Sequence, residues 1–342
     1  MNYLSGDDMT SEKTLYFGYG SNLDDDDWSN WCKDRGYDPD GMTEIGPAWL
    51  ADYSMKFHYH STGRGGGAAD VVRLGCGAAV PGVLFHLDEQ SLAVMDIKEG
   101  VPVNCYERRV VQVCTPDGNV HQALTYTVVE ESMEYRHIAP TKEYQQLIRS
   151  GLEKRGLPTD DLENAVQDGG PHFPIRNVFT YGTLMQGESR HMMIQELSPT
   201  SVEGSTVTKA TTKGVLLDLG SFPGMIAGSC AGVVGPTDAG VIGRAGFAEG
   251  GEADADAAAR QGVKGELYAF SDLFTVLQYL DEIEGYHGPE DGGSLFRRAI
   301  IEVDAEGEKR WAWAYFYNGK QGKKSAWPVI ESGDWRHHRS GD

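Results

Sequence analysis

Two glutamates stand at matching places in the chain and could carry proton-transfer chemistry. Glu99 lies in the segment DIKEG and Glu284 in the segment DEIEG, so each follows an aspartate by three positions and precedes a glycine. Three positions make nearly one helical turn, and glycine is a usual helix end. A carboxylate there meets the negative end of the helix dipole, which costs about 0.3 to 1 kcal/mol. The two interpretations are a functional carboxyl with a raised pKa and an ordinary solvated glutamate.

A second repeated pattern is a strand-like run that breaks into tyrosine, glycine and a hydroxyl residue. The runs are LYFGYGSNL (15–23) and VFTYGTL (178–184), and their tyrosines are 162 positions apart. A turn directly after a strand leaves backbone N–H groups free to bind an anion or a developing oxyanion. The alternative is a structural turn with a core tyrosine. Recurrence does not decide between the two, because a duplicated fold also duplicates its turns.

The order of these patterns indicates that the chain contains one domain twice. The run GVLF (82–85) precedes the first glutamate as GELY (265–268) precedes the second. The alternating runs YERRVVQV (106–113) and FRRAIIEV (296–303) follow them, and this alternation is typical of half-buried strands. Three matched blocks in one order favour duplication over coincidence.

The second copy is longer than the first by about 23 residues, because the interval between matching positions grows from 162 to 185. We expect the insertion at 227–262, which is rich in glycine, alanine and acidic residues and lacks apolar periodicity. Turn-forming residues around 156–174 predict a linker with a boundary near residue 170. The predicted domains are therefore 1–170 and 171–342.

The elements that must position these residues are mainly strands. The predicted strands are 14–19, 52–59, 79–87, 107–114 and 121–129 in the first copy, and 177–181, 213–219, 263–269, 297–303 and 310–317 in the second. The predicted helices are 91–97, 141–154 with Thr141 as N-cap, and 272–284. Many strands with few helices predict an α+β fold, with a mixed β-barrel or curled sheet in each half.

Composition limits the class of protein. A chain of 342 residues exceeds the size at which one core stops growing, and 40% hydrophobic residues support two cores. The formal net charge of -21 would repel nucleic acid and anionic membranes. No apolar run of membrane-spanning length and no signal-peptide pattern occurs, so we expect a soluble, cytoplasmic protein without a membrane or nucleic-acid partner.

No metal or cofactor site is predicted. The five cysteines are an odd, scattered set without a CxxC pair, which favours reduced core residues over disulfides or zinc ligands. His58 and His60 alternate on a predicted strand without a third ligand. The acidic run 24–27 lacks the interleaved spacing of a calcium loop and is typical of a helix-capping turn.

Taken in order, the motifs resemble the γ-glutamylcyclotransferase superfamily. The first half is similar to γ-glutamylcyclotransferase through YGSNL (19–23), GGAAD (66–70), GVLF (82–85), EGV (99–101), Tyr106 and 144–158. The second half is similar to the γ-glutamylamine cyclotransferase and AIG2-like branch through VFTYGTL (178–184), FPG (222–224), GELY (265–268), 280–286 and SGDW (332–335). The resemblance implies two tandem mixed β-barrel domains with few helices.

The resemblance also implies a reaction without a cofactor. A γ-glutamyl amide is cleaved when its own α-amino group attacks the γ-carbonyl, which releases 5-oxoproline and a free amine or amino acid. Glu99 and Glu284 would be the catalytic acid/base groups of the two halves. The residues implied in substrate binding are Tyr19, Gly20, Ser21, Asn22, Leu23 and Tyr126 in the first half, and Tyr181, Gly182, Thr183, Leu184 and Tyr317 in the second.

The second half differs from the first in two ways that bear on its function, and the sequence allows two other functions. The second half has Phe296 where the first has Tyr106, and it carries the insertion, so the halves could differ in substrate or one could be idle. The chain could instead be a ligand-binding or scaffolding protein of the same fold. It could also remove a γ-glutamyl group from a natural product or a modified protein. The duplication further predicts that the halves pack as an internal pseudo-dimer.

Overall fold

The description rests on a computed structural model, which describes residues 13–197, 207–228, 241–242, 262–319 and 327–340. The strands of the first half are β1 (Thr14–Gly18), β2 (Met42–Ala51), β3 (Tyr53–Ser61), β4 (Gly66–Arg73), β5 (Ala79–Leu87), β6 (Tyr106–Cys114) and β7 (Val120–Val128). Those of the second half are β8 (Asn177–Thr180), β9 (Thr208–Thr212), β10 (Val215–Asp218), β11 (Pro223–Ile226), β12 (Val241–Ile242), β13 (Val263–Ala269), β14 (Phe296–Ala305) and β15 (Glu308–Tyr317).

Helices are short and lie between or after the strands. The α-helices are α1 (Asp25–Lys33), α2 (Glu89–Lys98), α3 (Lys142–Glu153), α4 (Asp160–Val166), α5 (His191–Glu196), α6 (Leu273–Glu284) and α7 (Trp335–Ser340). Single 3-10 turns occupy Ser21–Leu23, Val101–Val103 and Glu130–Ser132. Side chains cap several helix starts, as expected for exposed backbone N–H groups. Thr141 accepts from the N–H of Tyr144 at 3.2 Å, and Asp24 accepts from that of Asp27 at 2.9 Å.

Each half contains a closed five-stranded barrel of the same topology. The first runs β1-β5-β2-β6-β7 and closes through a parallel pairing of β7 with β1. The second runs β8-β13-β9-β14-β15 and closes through a parallel pairing of β15 with β8. The cyclic order is identical when β8 is matched to β1, so the prediction of tandem mixed barrels is confirmed.

A hairpin outside the barrel also recurs. β3 pairs with β4 in the first half, and β10 pairs with β11 in the second, each as a separate two-stranded sheet. Each hairpin sits in the chain between the second barrel strand and the strand that pairs with the first. The hairpins matter for function because each carries or borders residues that reach the ends of β1 and β8.

Several sequence predictions need correction. Strands β2, β4, β9 and β11 were not predicted, and β2 was missed because the bulge at Glu44–Gly46 interrupts its alternation. The three predicted helices correspond to α2, α3 and α6, whose bounds agree within about two residues. Of the expected insertion at 227–262, only 227–228, 241–242 and 262 lie within the described residues, and β12 pairs with β7 of the first barrel.

The two halves touch through their barrels. Trp49 of β2 and Trp311 of β15 meet edge to face with ring centroids 5.4 Å apart. The N–H of Glu302 donates to the carbonyl of Pro116 at 3.0 Å. Arg298 of β14 donates to both carboxylate oxygens of Asp52 at 2.8 and 2.9 Å. The chain connecting the halves runs from α4 to β8, and the proposed boundary near residue 170 falls there.

The cysteines within the described residues are free thiols. Cys32 and Cys114 are buried free thiols, Cys76 and Cys105 are partly buried, and Cys230 lies outside the described residues. Within the described ranges no set of three or more His, Cys, Asp or Glu side chains is placed to hold a metal ion. No helix of the described chain is both long and apolar enough to cross a bilayer.

Two matched glycines allow the strand after each hairpin to approach the first barrel strand. A β-carbon at Gly82 would lie 2.4 Å from the carbonyl oxygen of Gly18 and 2.5 Å from the Phe17 ring. At Gly265 it would lie 2.2 Å from the carbonyl oxygen of Thr180 and 2.6 Å from the ring of Phe179. Gly18 and Thr180 directly precede the Tyr-Gly turns, so the close approach also holds those turns in place.

We therefore predict that Gly82→Ala and Gly265→Ala each lower the free energy of unfolding, by about 1 to 3 kcal/mol or more, because the backbone cannot yield without moving a barrel strand. Urea denaturation followed by tryptophan fluorescence measures the change. Gly170→Ala is the matched control, since nothing lies within 4 Å of a β-carbon there. An equal midpoint for Gly82→Ala and Gly170→Ala would contradict the close-approach argument.

Candidate active sites

The Tyr-Gly turn has the same hydrogen bond in both halves. In the first half the N–H of Leu23 donates to the carbonyl of Gly20 at 3.1 Å. In the second half the N–H of Met185 donates to the carbonyl of Gly182 at 3.0 Å. The turns are therefore equivalent position by position, with Gly20 matching Gly182. We call the turn 19–23 with Glu99 the first site, and the turn 181–184 with Glu284 the second site.

Free backbone donors are present in both turns. Among the described residues, nothing accepts a hydrogen bond from the backbone N–H groups of Ser21 and Asn22. The same holds for Thr183 and Leu184 within the described ranges. Adjacent N–H groups without an internal partner can bind a carboxylate or a developing oxyanion. The predicted anion-binding chemistry of the turn is therefore available in each half.

The tyrosine of each turn ties it to the last barrel strand. Tyr19 donates its hydroxyl to the carbonyl of Tyr126 at 2.6 Å, and Tyr181 donates to the carbonyl of Tyr315 at 2.7 Å. Both turn tyrosines are buried. Their role in the described structure is to fix the turn, because each hydroxyl already has a backbone partner.

Glu99 lies beside the first turn, as the sequence predicts. It caps the end of α2, and Gly100 follows it with φ 70. The side-chain amide of Asn22 donates to Oε1 of Glu99 at 2.8 Å and also to the hydroxyl of Tyr16 at 2.8 Å. Burial raises the pKa of Glu99, while the charge of Lys98 and the Asn22 hydrogen bond oppose the rise. Glu99 is thus not a solvated surface glutamate.

Two cations complete the first site, and the sequence analysis missed their role. Arg64 donates to Ser21 Oγ at 2.8 Å and to both carboxylate oxygens of Asp27 at 2.8 Å. Lys98 donates to Asn22 Oδ1 at 2.7 Å and to Asp27 Oδ2 at 2.9 Å. Burial would raise the pKa of Asp27, but these two cations outweigh it and lower the pKa to about 2. The first site therefore holds two cations next to Ser21, and both are paired with Asp27.

Glu284 lies in the wall of a cavity at the second turn. It is the last residue of α6, and Gly285 ends the helix with φ 62. The cavity has a volume of about 110 Å³. Its lining includes the turn Tyr181, Gly182, Thr183 and Leu184, the cation Arg190, the carboxyl Glu284, and the apolar or aromatic residues Phe222, Pro223, Leu280, Ile283, Leu295, Phe296 and Tyr315.

The environment of Glu284 brings the pKa of its carboxyl group close to neutral pH. Burial raises the pKa of Glu284 to about 7, and the positive charge of Arg190 opposes the rise. Within the described residues nothing donates a hydrogen bond to Glu284, whereas Glu99 receives one from Asn22. The turn position that matches Asn22 is Leu184, which has no polar atom in its side chain. This one exchange explains why Glu284 lacks an amide partner.

Arg190 is the second residue that the sequence analysis missed. Its backbone N–H donates to the carbonyl of Thr183 at 2.8 Å, which holds it next to the turn. Its guanidinium lies 6.0 Å from the centre of the Phe222 ring. No motif marked Arg190, because it lies in the connection between β8 and α5 rather than in a matched block. It is the charged group that could meet an anionic part of a ligand in this cavity.

Strand register corrects the pairing of Tyr126 with Tyr317. Tyr126 lies opposite Arg108 across β6 and β7, and Tyr315 lies opposite Arg298 across β14 and β15. Tyr315 is therefore the counterpart of Tyr126, and it lines the second cavity, whereas Tyr317 does not. Tyr317 lies two residues further along the same tyrosine-rich strand, opposite Phe296.

Leu23 also departs from the expectation. The resemblance implies that Leu23 binds substrate, but its side chain is 0% exposed and lies in the core. α3 packs against it so closely that a β-carbon at Gly151 would lie 2.4 Å from the β-carbon of Leu23. Leu23 therefore holds the turn against α3 and does not face a ligand.

An aspartate one turn before each glutamate anchors the helix end. Asp96 accepts from the hydroxyl of Tyr126 at 2.8 Å and from Arg108 at 2.7 Å. Asp281 accepts from the hydroxyl of Tyr315 at 2.6 Å. The aspartates of the repeated DxxEG pattern are therefore structural, and they connect the glutamate-bearing helix to the last barrel strand.

Comparison with known proteins agrees with this architecture. Residues 79–164 match the family described as "AIG2-like family", and residues 178–241 and 253–337 match "Gamma-glutamyl cyclotransferase, AIG2-like". A curated relative is the gamma-L-glutamyl-butirosin B gamma-glutamyl cyclotransferase of Niallia circulans. It is 27% identical over 164 residues, which cover 48% of this chain and 77% of the relative.

Solved structures give similar partial coverage. A structure titled gamma-glutamyl cyclotransferase is 25% identical, with a TM-score of 0.39, and the match covers 47% of this chain and 90% of that one. An uncharacterized protein from Homo sapiens is 26% identical, with a TM-score of 0.38 and coverages of 47% and 90%. Because a model of one superfamily matches each half, the chain belongs to the γ-glutamylcyclotransferase superfamily and is a γ-glutamylcyclotransferase-like enzyme with the fold in two tandem copies.

Proposed function

We propose that this chain cleaves γ-glutamyl amides by intramolecular attack of the substrate's α-amino group, releasing 5-oxoproline and a free amine or amino acid. The observation that carries the proposal is the recurrence, in both halves, of a partly buried glutamate with a raised pKa beside a turn with free N–H donors. A small-molecule γ-glutamyl compound is the proposed substrate, and the proposed reaction itself consumes no cofactor.

The glutamate carries the proton in this mechanism. Glu284 in its carboxylate form takes a proton from the α-ammonium group, and the free amine then attacks the γ-carbonyl carbon. The tetrahedral intermediate collapses when the carboxyl returns this proton to the departing nitrogen. The regenerated carboxylate then takes the second proton from the ring nitrogen and passes it to the released amine, which leaves as an ammonium ion. A pKa of about 7 suits both steps, because general acid–base catalysis works best when the pKa lies near the working pH. Glu99 has the same role in the first site.

The turn would stabilise the negative charge. Free backbone N–H groups at Ser21 and Asn22, or at Thr183 and Leu184, could hold the oxyanion of the intermediate or the α-carboxylate of the substrate. Arg64 and Lys98 in the first site, and Arg190 in the second, add positive charge for an anionic group. The α-carboxylate is the one anionic group that every γ-glutamyl amino acid or amine carries.

One comparison favours a narrower class of leaving group. The relative from Niallia circulans is named as a γ-glutamyl cyclotransferase of γ-L-glutamyl-butirosin B. The net charge of -21 on this chain would attract a cationic amine rather than an acidic peptide. We therefore include removal of a γ-glutamyl group from an amine-bearing natural product as the second candidate function. The internal pseudo-dimer is likewise proposed, from the contacts between the barrels.

We predict that Glu99→Gln and Glu284→Gln each lower the turnover of one site by about 100- to 10,000-fold, because an amide cannot act as a general acid or base. 5-Oxoproline release is measured for wild type, both single variants and the double variant, over γ-glutamyl amino acids, γ-glutamyl amines and γ-glutamyl polyamines. The controls are Glu89→Gln on α2 and Glu282→Gln on α6, both exposed glutamates of the same helices.

The same panel distinguishes the alternatives. Activity in the double variant would show that other groups carry the proton. Absence of product from every compound, with tight binding of a γ-glutamyl ligand, would support the ligand-binding reading instead. Loss of fold does not explain a negative result for Glu284→Gln, because burying an ionised carboxyl costs free energy at pH 8 and the neutral amide removes that cost.

The pH dependence of the second site should follow its carboxyl group. In a Glu99→Gln background, kcat/KM falls as the pH drops through about 7, because the base must be ionised. Leu184→Asn places an amide where the first site has Asn22, and the amide favours the carboxylate. We predict that this substitution moves the acid limb to lower pH. An unchanged limb in an active Leu184→Asn protein would contradict the assignment of Glu284 as the base.

A further inference from the structure

The helix that carries Glu284 is anchored one turn before that residue. Asp281 accepts a hydrogen bond from the hydroxyl of Tyr315 at 2.6 Å through Oδ1, and from Nη1 of Arg298 at 2.5 Å through Oδ2. Tyr315 itself lines the cavity that contains Glu284. Any shift of Asp281 would therefore move both the helix end and a wall of the second site.

Arg298 connects this anchor to the first half of the chain. Its Nη2 donates to both carboxylate oxygens of Asp52, at 2.8 and 2.9 Å. The guanidinium lies between two aromatic rings, 5.1 Å from the centre of Tyr286 and 5.1 Å from that of Trp313. The Arg298 side chain is only 2% exposed. A guanidinium confined in this way is shared between one carboxylate of each half.

The first half lacks this cross-link and provides a natural comparison. Arg108, which matches Arg298 in register, gives both Nε and Nη2 to Asp96, at 2.7 and 2.5 Å. The Arg108 side chain is 40% exposed, and within the described residues Asp96 is the one carboxylate it bonds. Asp52 occupies Nη2 of Arg298, so Asp281 receives one nitrogen, Nη1, where Asp96 receives two from Arg108.

Asp52 is itself held rigidly. It forms the tight turn between β2 and β3 with φ 67, a left-handed conformation that Asp and Asn tolerate better than other side chains. Its N–H donates to the carbonyl of Ala78 at 2.7 Å, and its carbonyl accepts from the N–H groups of Leu74 and Gly75 at 2.9 and 3.1 Å. The carboxylate therefore has a fixed position from which to orient Arg298.

We propose that Asp52 of the first half is a positioning residue for the active site of the second half, acting through Arg298 and Asp281 on the end of α6. Without the charge of Asp52, Arg298 donates two nitrogens to Asp281, as Arg108 does to Asp96. Asp281, Tyr315 and Glu284 then shift together. The second site is then not self-contained. The proposal rests on the proposed function of Glu284, and its test has one arm that does not depend on turnover.

The first arm is kinetic and uses the full chain. In a Glu99→Gln background, which leaves the second site as the source of product, Asp52→Asn lowers kcat by about tenfold or more, because small displacements of a catalytic group are costly. KM changes by less than about twofold, since Arg190 and the N–H groups of Thr183 and Leu184, which would hold the carboxylate of the substrate, are not among the displaced groups. In a Glu284→Gln background, Asp52→Asn leaves first-site turnover unchanged. Asn is chosen because it keeps the left-handed turn.

A matched control removes a different contact between the halves. Gln112 donates its side-chain amide to the carbonyl of Pro289 at 2.8 Å and bonds neither Arg298 nor Asp281. Gln112→Ala in the Glu99→Gln background should keep kcat. The proposal is overturned if Asp52→Asn leaves kcat unchanged. It is also overturned if Asp52→Asn lowers turnover equally at both sites, or by the same factor as Gln112→Ala, because the effect would then be general.

The second arm is a crystal structure of the Asp52→Asn protein. It should show Arg298 bonded to Asp281 through two nitrogens and the last turn of α6 displaced. Unmoved Arg298 and Asp281 would overturn the proposal whatever the activity. If the Glu99→Gln protein turns over no compound of the panel, the proposed function of the second site fails, and this structure still decides whether Asp52 positions the helix end.

Discussion

The structure of each half depends on partly burying one carboxyl group at the end of a helix, next to a turn whose N–H groups are free. Removing a carboxylate from water costs free energy, and this cost arises at both Glu99 and Glu284. The rest of each barrel fixes the geometry: a glycine lets two strands approach, a tyrosine ties the turn to the last strand, and an aspartate anchors the helix. A carboxyl group with a raised pKa can move a proton between two nitrogens. The free N–H groups beside it can stabilise the oxyanion that forms during the transfer.

The two halves surround the glutamate with different residues. At the first site an amide, Asn22, bonds the carboxyl, and the cations Arg64 and Lys98 crowd the turn. At the second site Leu184 replaces the amide, the walls are apolar and aromatic, and the pKa of the carboxyl rises to about 7. Duplicated sites that differ in electrostatics are expected to differ in substrate or in working pH, which is a reason for one chain to keep both.

Much of this could be predicted from sequence because it depends on local patterns. The order of the matched blocks predicted the tandem fold, which is confirmed, and the glutamates and turns predicted two candidate sites, in which the structure places each glutamate beside its turn. The cations could not be predicted: Arg64 comes from the β3–β4 hairpin, whose second strand carries no alternating pattern, and Arg190 from an unmatched connection. The contact of Asp52 with Arg298 joins residues 246 positions apart, and only tertiary structure brings them together.

The most direct test of the central claim is the ionisation of Glu284 itself. Carbon-13 labelling of glutamate side chains, with the signal assigned by its loss in Glu284→Gln, allows its titration to be followed by NMR. The account predicts a midpoint near pH 7 that coincides with the acid limb of second-site kcat/KM. A midpoint at the ordinary glutamate value of about 4.3 would mean that the carboxyl is solvated, and it would contradict the account.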